Sequence, residues 1–446
     1  MRYEPIPSQL FISNRRRLAE LLPANALAVL NANDTCPTNA DGTQHTVVNS
    51  DLFYLSGVEQ EQTILLIYPD AANDKQHEIL FLREPVAEVE TWEGHKFTKD
   101  EARKLTGIQN ICWLSEFQRM FHQLMCECDE VYLNSNEHKR AVIEVESREA
   151  RFVTETLRKY PLHDYHRLAP LMHRLRAVKS DTEVALIRKA CDLTHRGFQR
   201  VLQFTRPGVL EYEVEAEFSH EFTRHGGRMA YMPIIASGSN ACCLHYLANN
   251  QVCQDGQFLL LDVGASYANY SSDMTRTIPV NGRFSKRQRQ VYDAVLKILR
   301  QSIASLVVGK KIKDWQKEAE ELTERALVNL GLLSTREIKK QNPQTPAFKK
   351  YFMHGVGHSL GLDVHDLGDT TKPLEAGWVM TVEPGIYIRE EGFGVRLEND
   401  ILITKDGPVD LMAHIPIEAD EIEALMNRKS PKAGRRKRLS TKAASW

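Results

Sequence analysis

The stretches GQFLLLDVGASYANYSSDMTRTIPV (residues 256–280) and GWVMTVEPGIYIREEGFGVRLENDILIT (residues 377–404) are two versions of one pattern. Each begins with a glycine and runs through an apolar strand to an acid six residues later, Asp262 or Glu383. Each then carries a second acid on what we predict to be the returning strand: Asp273 follows 11 residues after Asp262, and Glu398 follows 15 after Glu383. The repeat predicts two hairpins that face one another across a pseudo-two-fold axis and bring four carboxylates together.

An acid at the end of an apolar strand is the informative feature of both stretches. Asp262 follows FLLL (258–261), and Glu383 follows VMTV (379–382). A buried carboxylate without a partner costs several kcal/mol, so each acid requires a cation. A salt bridge to Arg or Lys would serve any one acid, but four acids would require four buried basic side chains. Two metal ions about 3.5–4 Å apart, bridged by carboxylates, satisfy all four, as in hydrolytic two-metal sites.

Histidines supply a further kind of donor. The segment YFMHGVGHSLGLDVHD (351–366) places His354, His358 and His365 between glycines that allow close backbone approach. A lone histidine is more often a core or surface group, and this chain has 16. Three histidines so close together predict a metal or acid–base site. His245, in ACCLHYL (241–247), lies on another segment that we predict to be strand-like, and a structural role stays open for it.

The rest of the chain predicts two domains and a tail. At 446 residues the chain is too long for one ordinary core. Up to about residue 170, short apolar strands such as TILLIYP (63–69) alternate with helical stretches, which is typical of a sheet covered by helices. Ser180 and Glu183 form a capping box that begins a new helix. We therefore predict an α/β (α+β) protein with domains over residues 1–172 and 173–427 and a basic, disordered tail over residues 428–446.

Composition excludes several classes of protein. Hydrophobic residues make up 42% and charged residues 26%, as in globular proteins. No apolar run approaches the roughly 18 residues of a membrane span, and we recognise no secretory signal. Eight cysteines without a CxxC pair favour a reducing cytoplasm. The tail holds eight basic residues and no acid, and either contacts an acidic partner or is simply solvated, whereas the acidic remainder speaks against nucleic acid as the main ligand.

Five motifs together resemble a known family. LLLDVGA (259–265), SSDMTRT (271–277), HGVGHSLGLDVHD (354–366), TVEPGIY (381–387) and VRLEND (395–400) are similar, in this order and spacing, to the metallopeptidases with the pita-bread fold. The Xaa-Pro aminopeptidases (aminopeptidase P) are the best match, and the prolidases come next. NSDLFYLSGVEQ (49–60) and ETWEGHKF (90–97) resemble the creatinase-type N-terminal domain of these enzymes. The resemblance implies that domain, followed by a pita-bread catalytic domain.

The resemblance also implies a dinuclear centre with five protein ligands: Asp262, Asp273, His358, Glu383 and Glu398. Asp262 would chelate one ion, Asp273 and Glu398 would bridge both, and His358 and Glu383 would complete the other. Manganese is the implied metal, and the oxygen-rich donor set leaves Co²⁺, Zn²⁺ and Fe²⁺ open. In VRLEND the family often has Asp-Asp after the last ligand, whereas here Asn399 follows Glu398, and we expect Asn399 to point away from the metals.

Catalytic roles follow from the same resemblance. A hydroxide that bridges the metals would be the nucleophile, and Glu383 would pass its proton towards the proline nitrogen. His245 and His365 would steady the substrate carbonyl and the tetrahedral intermediate. His354 would wall the proline pocket. Three further residues would hold the bridging acids and the substrate: Tyr231, Tyr387 and Arg396.

Trp92 lies in a polar stretch, VETWEGHKF (89–97), that offers it no obvious core. In bacterial enzymes that the chain resembles, N-terminal domains build a tetramer in which a tryptophan reaches a neighbour's active site. We therefore expect a homotetramer, with a homodimer as the alternative, in which Trp92 lines a substrate pocket in trans. The alternative role for Trp92 is local packing.

Three functions remain to be compared. The first is an aminopeptidase that removes the residue ahead of a proline in second position. The second is a prolidase restricted to Xaa-Pro dipeptides, for which the sequence shows no dedicated lid. The third is a non-catalytic binding module, against which the presence of all five ligands speaks.

We predict two divalent ions per chain, with activity lost on chelation and restored by Mn²⁺. Asp273→Ala and Glu398→Ala should lose metal as well as activity, because each would serve both ions. His245→Ala and His365→Ala should keep the metal and lose turnover. Elemental analysis of the active enzyme checks the count, and active enzyme without metal would contradict it. A metal-free His365 variant would overturn the division between ligands and transition-state groups.

Overall fold

The computed structural model describes residues 2–44, 47–142 and 144–428. The predicted basic tail lies, apart from Arg428, outside the described residues. Among the described residues, no helix combines the length and apolar composition needed to cross a membrane.

The N-terminal half is built on a six-stranded mixed sheet with the order β4-β3-β2-β1-β5-β6. Its strands are β1 (Ala26–Asn31), β2 (Ile64–Ile67), β3 (Glu78–Leu82), β4 (Asn110–Trp113), β5 (Glu130–Leu133) and β6 (Asp164–Arg167). Strand β2 runs antiparallel to β1 and β3, and the outer pairs are parallel. The central strands β1 and β2 are buried along their whole length, which is why they read as continuous apolar runs. The sheet predicted from these runs is confirmed.

Helices cover this sheet and lead into the second half. They are α1 (Ser8–Ala19), α2 (Ser50–Ser56), α3 (Ala87–Glu93), α4 (Lys99–Thr106), α5 (Phe117–Met125), α6 (Arg148–Lys159) and α7 (Ala169–Ala177). The second half opens with α8 (Asp181–Phe204) and α9 (Glu211–Arg224) and also contains α10 (Lys286–Ala304), α11 (Ile312–Asn329), α12 (Thr335–Lys340) and α13 (Ala419–Met426). The predicted capping box begins α8, since the Ser180 hydroxyl accepts from the Glu183 amide and the Glu183 carboxylate accepts from the Ser180 amide.

The strands of the second half confirm the internal repeat, but each repeat contains four strands and not the two strands of a hairpin. They are β7 (Arg228–Met229), β8 (Ile234–Ser237), β9 (Phe258–Asp262), β10 (Ala265–Tyr267), β11 (Tyr270–Ser271), β12 (Thr275–Pro279), β13 (Val379–Val382), β14 (Gly385–Ile388), β15 (Phe393–Arg396), β16 (Asn399–Thr404) and β17 (Gly407–Asp410). Strands β9 to β12 form one four-strand unit and β13 to β16 the other. In each unit the outer strands pair antiparallel, as do the inner strands.

The repeat places the four acids at equivalent points. Asp262 is the last residue of β9, and Glu383 directly follows β13. The prediction that the second acids lie on the returning strands is wrong. They lie just before these strands: Asp273 is two residues ahead of β12 and Glu398 is one residue ahead of β16. The cause is the inner strand pair of each unit, because the chain has to turn after the second inner strand before it enters the returning outer strand. A residue in that turn is outside the regular ladder, so its side chain can point inward.

The two units meet edge to edge next to these acids. The Glu398 amide donates to the Thr275 carbonyl at 3.0 Å, and the Thr277 hydroxyl lies 3.1 Å from the Arg396 carbonyl. Close backbone approach also holds the histidine segment, since a Cβ on Gly357 would lie 2.0 Å from the Thr381 carbonyl oxygen. The segment is therefore pinned to β13 at a position that only glycine can occupy.

Candidate metal centre

A cleft of about 390 Å³ opens where the two units meet. All five residues predicted as metal ligands line it, as do the predicted His245, His354, His365, Tyr231 and Arg396. Tyr387 contacts the lining from behind through its hydroxyl. Asp262 and Glu398, 136 positions apart in the sequence, therefore share one cavity, as the repeat predicted.

The metal-ligating atoms come closest at Asp273, His358 and Glu398. Each offers one such atom, and the three atoms lie within 4.8 Å of one another. The His358 Nε2 is 3.5 Å from Asp273 Oδ2 and 3.8 Å from Glu383 Oε1. Asp262 joins through Tyr231, whose hydroxyl contacts one oxygen each of Asp262 and Asp273. This is a donor set of four carboxylates and one imidazole, which suits divalent cations such as Mn²⁺, Co²⁺ or Zn²⁺.

The histidine is oriented for ligation. His358 Nδ1 lies 3.0 Å from the Ser359 carbonyl, which can only accept, so the proton of the neutral ring belongs on Nδ1. That leaves the lone pair of Nε2 facing the carboxylates. A backbone carbonyl behind the far nitrogen is the usual device that fixes the tautomer of a metal-binding histidine.

Without a cation, burial works against the charges of this cluster. Burial raises the pKa of Asp262, and raises that of Glu398 well above its usual range, with the Asp273 charge adding to the effect at both. Burial also raises the pKa of Glu383 to about 7, although His358 opposes it. For His358, burial lowers the pKa, but Asp273 and Glu383 outweigh it and raise the value to about 9. The carboxylates thus need protons or cations nearby. Divalent ions can take the place of the protons on the carboxyl groups and of the extra proton on the His358 ring.

Glu398 provides a specific test of whether a metal fits. Its side chain is 1% exposed, and Oε2 accepts a hydrogen bond of 2.6 Å from the Thr275 hydroxyl. Its Oε1 is buried and finds no hydrogen-bond partner among the described residues. A buried carboxylate oxygen without a donor is costly. A cation beside Asp273 and His358 would satisfy this oxygen, so the residues present fit a metal.

The alternative of buried salt bridges holds for one acid only. The Arg396 guanidinium, 4% exposed, contacts Asp262 and also donates to the Tyr387 hydroxyl at 2.8 Å. In the described part of the chain, neither Asp273, Glu383 nor Glu398 pairs with an arginine or lysine. Arg396 therefore offsets one of four negative charges, and the others remain for cations.

Two of the three other histidines are held as neutral rings. Burial lowers the pKa of His354 to about 3, and its Nε2 lies 2.8 Å from the Tyr387 hydroxyl. Burial, aided by His358, lowers the pKa of His365 to about 4. The His365 ring stands edge-on to His358, with 4.3 Å between the ring centres. Neutral imidazoles beside the ligands can donate a hydrogen bond without adding positive charge.

His245 lies in the cleft, but the prediction that it lies on a strand is wrong. The chain forms a short 3₁₀ helix at Gly238–Cys242, and His245 follows in an exposed turn. The buried Glu211 holds this segment: its carboxylate accepts from the Ser237 amide and hydroxyl at 2.7 Å and from the Tyr246 hydroxyl at 2.8 Å. These bonds favour a turn over a strand, because they bring both ends of the segment to one carboxylate.

Trp92 does not line the cleft of its own chain within the described residues. It lies on α3, none of whose residues is buried, and is 82% exposed. The sequence argument that it lacks a core to enter is confirmed, and its role in a neighbouring chain stays a prediction.

Several residues behind the ligands were missed by the sequence reasoning. Thr275 holds Glu398, and the buried Asp400 accepts from the Asp273 amide at 3.1 Å and from the Cys191 thiol at 3.5 Å. Asp400 is the last residue of the VRLEND motif, so the sequence shows an acid at this position but does not show where its side chain points. Asn399 binds Arg276 and Asp410 and points away from the cleft, as expected.

Comparison with known proteins gives concordant results. The model of metallopeptidase family M24 matches residues 185–405, and that of the aminopeptidase P N-terminal domain matches residues 11–132. The Xaa-Pro aminopeptidase of Escherichia coli K12 is 36% identical over 443 residues, covering 94% of this chain and 98% of that protein. Human Xaa-Pro aminopeptidase 3 is 33% identical, covering 86% of this chain and 77% of its own length. A structure of zinc-substituted Escherichia coli aminopeptidase P with product superposes with a TM-score of 0.85 at 34% identity, covering 95% and 99% of the two chains.

Thr275→Val should weaken metal binding about 10–100-fold, because Glu398 loses the hydroxyl that orients it while the side-chain volume is kept. Calorimetric metal titration of the metal-free protein measures the change. Thr323→Val is the matched control, since Thr323 is also buried but donates to the Ala319 carbonyl of its own helix. Equal affinities in the two variants would show that Thr275 does not support the site.

Proposed function

Because the chain belongs to metallopeptidase family M24, we propose that it is an aminopeptidase that hydrolyses the bond between the first residue of a peptide and a proline in second position. The observation that carries the proposal is the cleft itself. It gathers four carboxylates and one oriented imidazole beside three further histidines, in a chain that matches Xaa-Pro aminopeptidases along nearly its whole length. No observation favours the prolidase over this activity.

We assign two divalent ions to five residues: Asp262, Asp273, His358, Glu383 and Glu398. Their support is the close approach of Asp273, His358 and Glu398 and the orphaned oxygen of Glu398. Two ions bound there would polarise the substrate carbonyl and make a water-derived nucleophile available near neutral pH. Manganese is our proposed ion, because the set is rich in oxygen and has a single imidazole.

Hydrolysis adds the oxygen of water to the carbonyl carbon of the first residue and breaks the bond from that carbon to the proline nitrogen. We assign the proton transfer to Glu383. Its carboxylate takes the proton from the attacking water and delivers it to the departing proline nitrogen. Glu383 is suited to this role because it directly follows a rigid strand and one of its oxygens lies 3.6 Å from His354 Nδ1, on the cleft wall.

His365 and His245 would stabilise the carbonyl oxygen as it becomes negative. His365 stays neutral because its pKa is about 4, so its N–H can donate where positive charge is already concentrated. His245 comes from the turn held by Glu211, on another wall of the same cleft.

A hydrogen-bonded chain forms the proposed proline pocket. The Arg396 guanidinium donates to the Tyr387 hydroxyl. His354 Nδ1 lies 2.8 Å from the Gly355 carbonyl and so carries the proton of the neutral ring, which leaves Nε2 to accept from the Tyr387 hydroxyl. The neutral His354 ring also packs edge-on against Phe352, with 4.8 Å between ring centres. This wall presents a flat, neutral ring whose hydrogen bonds fix its orientation. Among the metal ligands, the Tyr231 hydroxyl holds Asp262 and Asp273 in place.

We also propose a homotetramer in which Trp92 limits the pocket for the first residue of a neighbour's substrate. Its support is an exposed tryptophan on a helix that buries none of its residues. A large exposed aromatic side chain is typical of a contact with another molecule. A cytoplasmic location is proposed as well, supported by eight cysteines that are all free thiols.

The metal-reconstituted enzyme should cleave Ala-Pro-Ala and longer peptides with proline second. Replacing that proline with alanine should lower kcat/KM about 100-fold or more, because the pocket at His354 would fit the ring. A peptide series from dipeptide to hexapeptide, with released alanine as the readout, checks both points. Strict activity on the dipeptide Ala-Pro would move the protein to the prolidases.

Trp92→Ala should change KM severalfold while leaving the metal content intact, because a pocket wall is removed without touching a ligand. Leu162→Ala is the matched control, since Leu162 is another highly exposed apolar side chain of the N-terminal half. Light scattering measures the assembly in parallel. A fully active monomer would remove the role of Trp92 in trans.

A further inference from the structure

A second cavity lies beside the cleft, between the N-terminal half and the second half. This junction cavity has a volume of about 410 Å³ and is lined by residues of both halves, among them Asn49, Asn134, Arg140, Arg176, Asp363 and His365. Arg140 and His365 also line the catalytic cleft, so the two spaces adjoin along these side chains.

Arg140 stands where the two spaces meet. Its Nη1 lies 3.4 Å from both ring nitrogens of His365. Two tight turns set its position, because Asn136 accepts from the His138 amide and His138 Nδ1 accepts from the Arg140 amide, each at 3.1 Å. Lys139 reaches Thr370 of the second half at 3.5 Å. The N-terminal half therefore supplies a cation to the edge of a cleft that the second half builds.

The carboxylates around Arg140 are engaged by other groups. Arg176 contacts both Asp51 and Asp363 in the cavity wall. The carboxylate of Glu137 is paired with Arg167 from outside the cavity. Glu149 is held largely uncharged, because burial raises its pKa to about 8, and it accepts from Asn134 at 3.1 Å.

Within the described residues, Arg140 forms no ion pair with a carboxylate, so no direct partner neutralises the charge of its guanidinium. Unused hydrogen-bonding groups lie in the same wall. Asn134, 4% exposed, leaves its amide oxygen without a partner in the described chain, and Arg176, 3% exposed, leaves its Nε without one.

We propose that the junction cavity receives the part of a peptide substrate that follows the proline, and that Arg140 binds the terminal carboxylate of a tripeptide. The proposal rests on the proposed function, because the peptide must first be placed with its scissile bond at the metal centre. It makes Arg140 a specificity-determining residue for chain length. An arginine is suited to the role, since its planar group binds a carboxylate through two hydrogen bonds.

The test compares Ala-Pro-Ala as a free acid with Ala-Pro-Ala amide, using metal-loaded enzyme. In the wild type the free acid should have a KM about tenfold below that of the amide, the worth of a charge-assisted hydrogen bond. In Arg140→Gln the two KM values should become equal, because the free acid loses the partner of its carboxylate and the amide has no such partner to lose. The wild-type difference should also shrink at high ionic strength, because the site is open to solvent.

Lys139→Gln is the control, since it removes a positive charge from the residue next to Arg140, and the Lys139 side chain lines neither cavity. The proposal is overturned if Arg140→Gln raises KM for acid and amide alike, or leaves their ratio as in the wild type. Wild-type enzyme that cleaves neither peptide would sink the proposed function instead, so the two failures are distinguishable.

A second variant tests the cavity apart from the carboxylate. Ala141 lines the junction cavity and is only partly buried, so Ala141→Trp would fill part of the space without overpacking a core. KM for a hexapeptide with proline second should rise severalfold, while KM for Ala-Pro-Ala amide stays as in the wild type. Unchanged KM for the hexapeptide would exclude the junction cavity as its path.

Discussion

Four carboxylates crowded into a cleft between two buried strand units are the constraint on which the rest of the structure depends. Burial alone pushes three of them towards the protonated form, and Arg396 offsets the charge of Asp262 only. Such a cluster is stable as a charged group only when cations complete it. The fold accordingly holds the acids rigidly and close together, and the chemistry of peptide hydrolysis uses the charge that the cations bring.

Rigidity comes from the way each acid is attached. Asp262 and Glu383 stand at strand ends, whereas Asp273 and Glu398 stand in the turns that re-enter the outer strands. The Thr275 carbonyl binds the Glu398 amide and the Thr275 hydroxyl binds its carboxylate, so one residue fixes both ends of that glutamate. Thr275 of the first unit thereby orders a ligand of the second, and Asp400 of the second unit accepts from the Asp273 amide of the first, so neither unit could present the cluster alone.

The N-terminal half is tied to the same centre through buried charge. Arg176, on the helix that ends this half, contacts Asp51 on one side and Asp366 on the other, and Lys179 also binds Asp366 at 2.9 Å. Asp366 directly follows His365, and the glycine at 361 is required because a Cβ there would lie 2.1 Å from the Asp366 carboxylate. The position of His365 therefore depends on contacts outside the catalytic half. This coupling gives the N-terminal half a part in shaping the site.

The sequence by itself determined the acids, the histidines, the apolar strands that lead to Asp262 and Glu383, and the repeat that relates them. These features are local, since an acid at the end of an apolar run is visible in ten residues and cannot be buried without a cation. The same reasoning placed His245 on a strand, because ACCLHYL is apolar, and could not see that the distant Glu211 would bend it into a turn. Only the tertiary structure decided that Thr275 and Asp400 stand behind the ligands and that Arg140 reaches the cleft from the other half. Their roles depend on the direction of a side chain across contacts of more than 100 residues, and residue type and spacing carry no record of that direction.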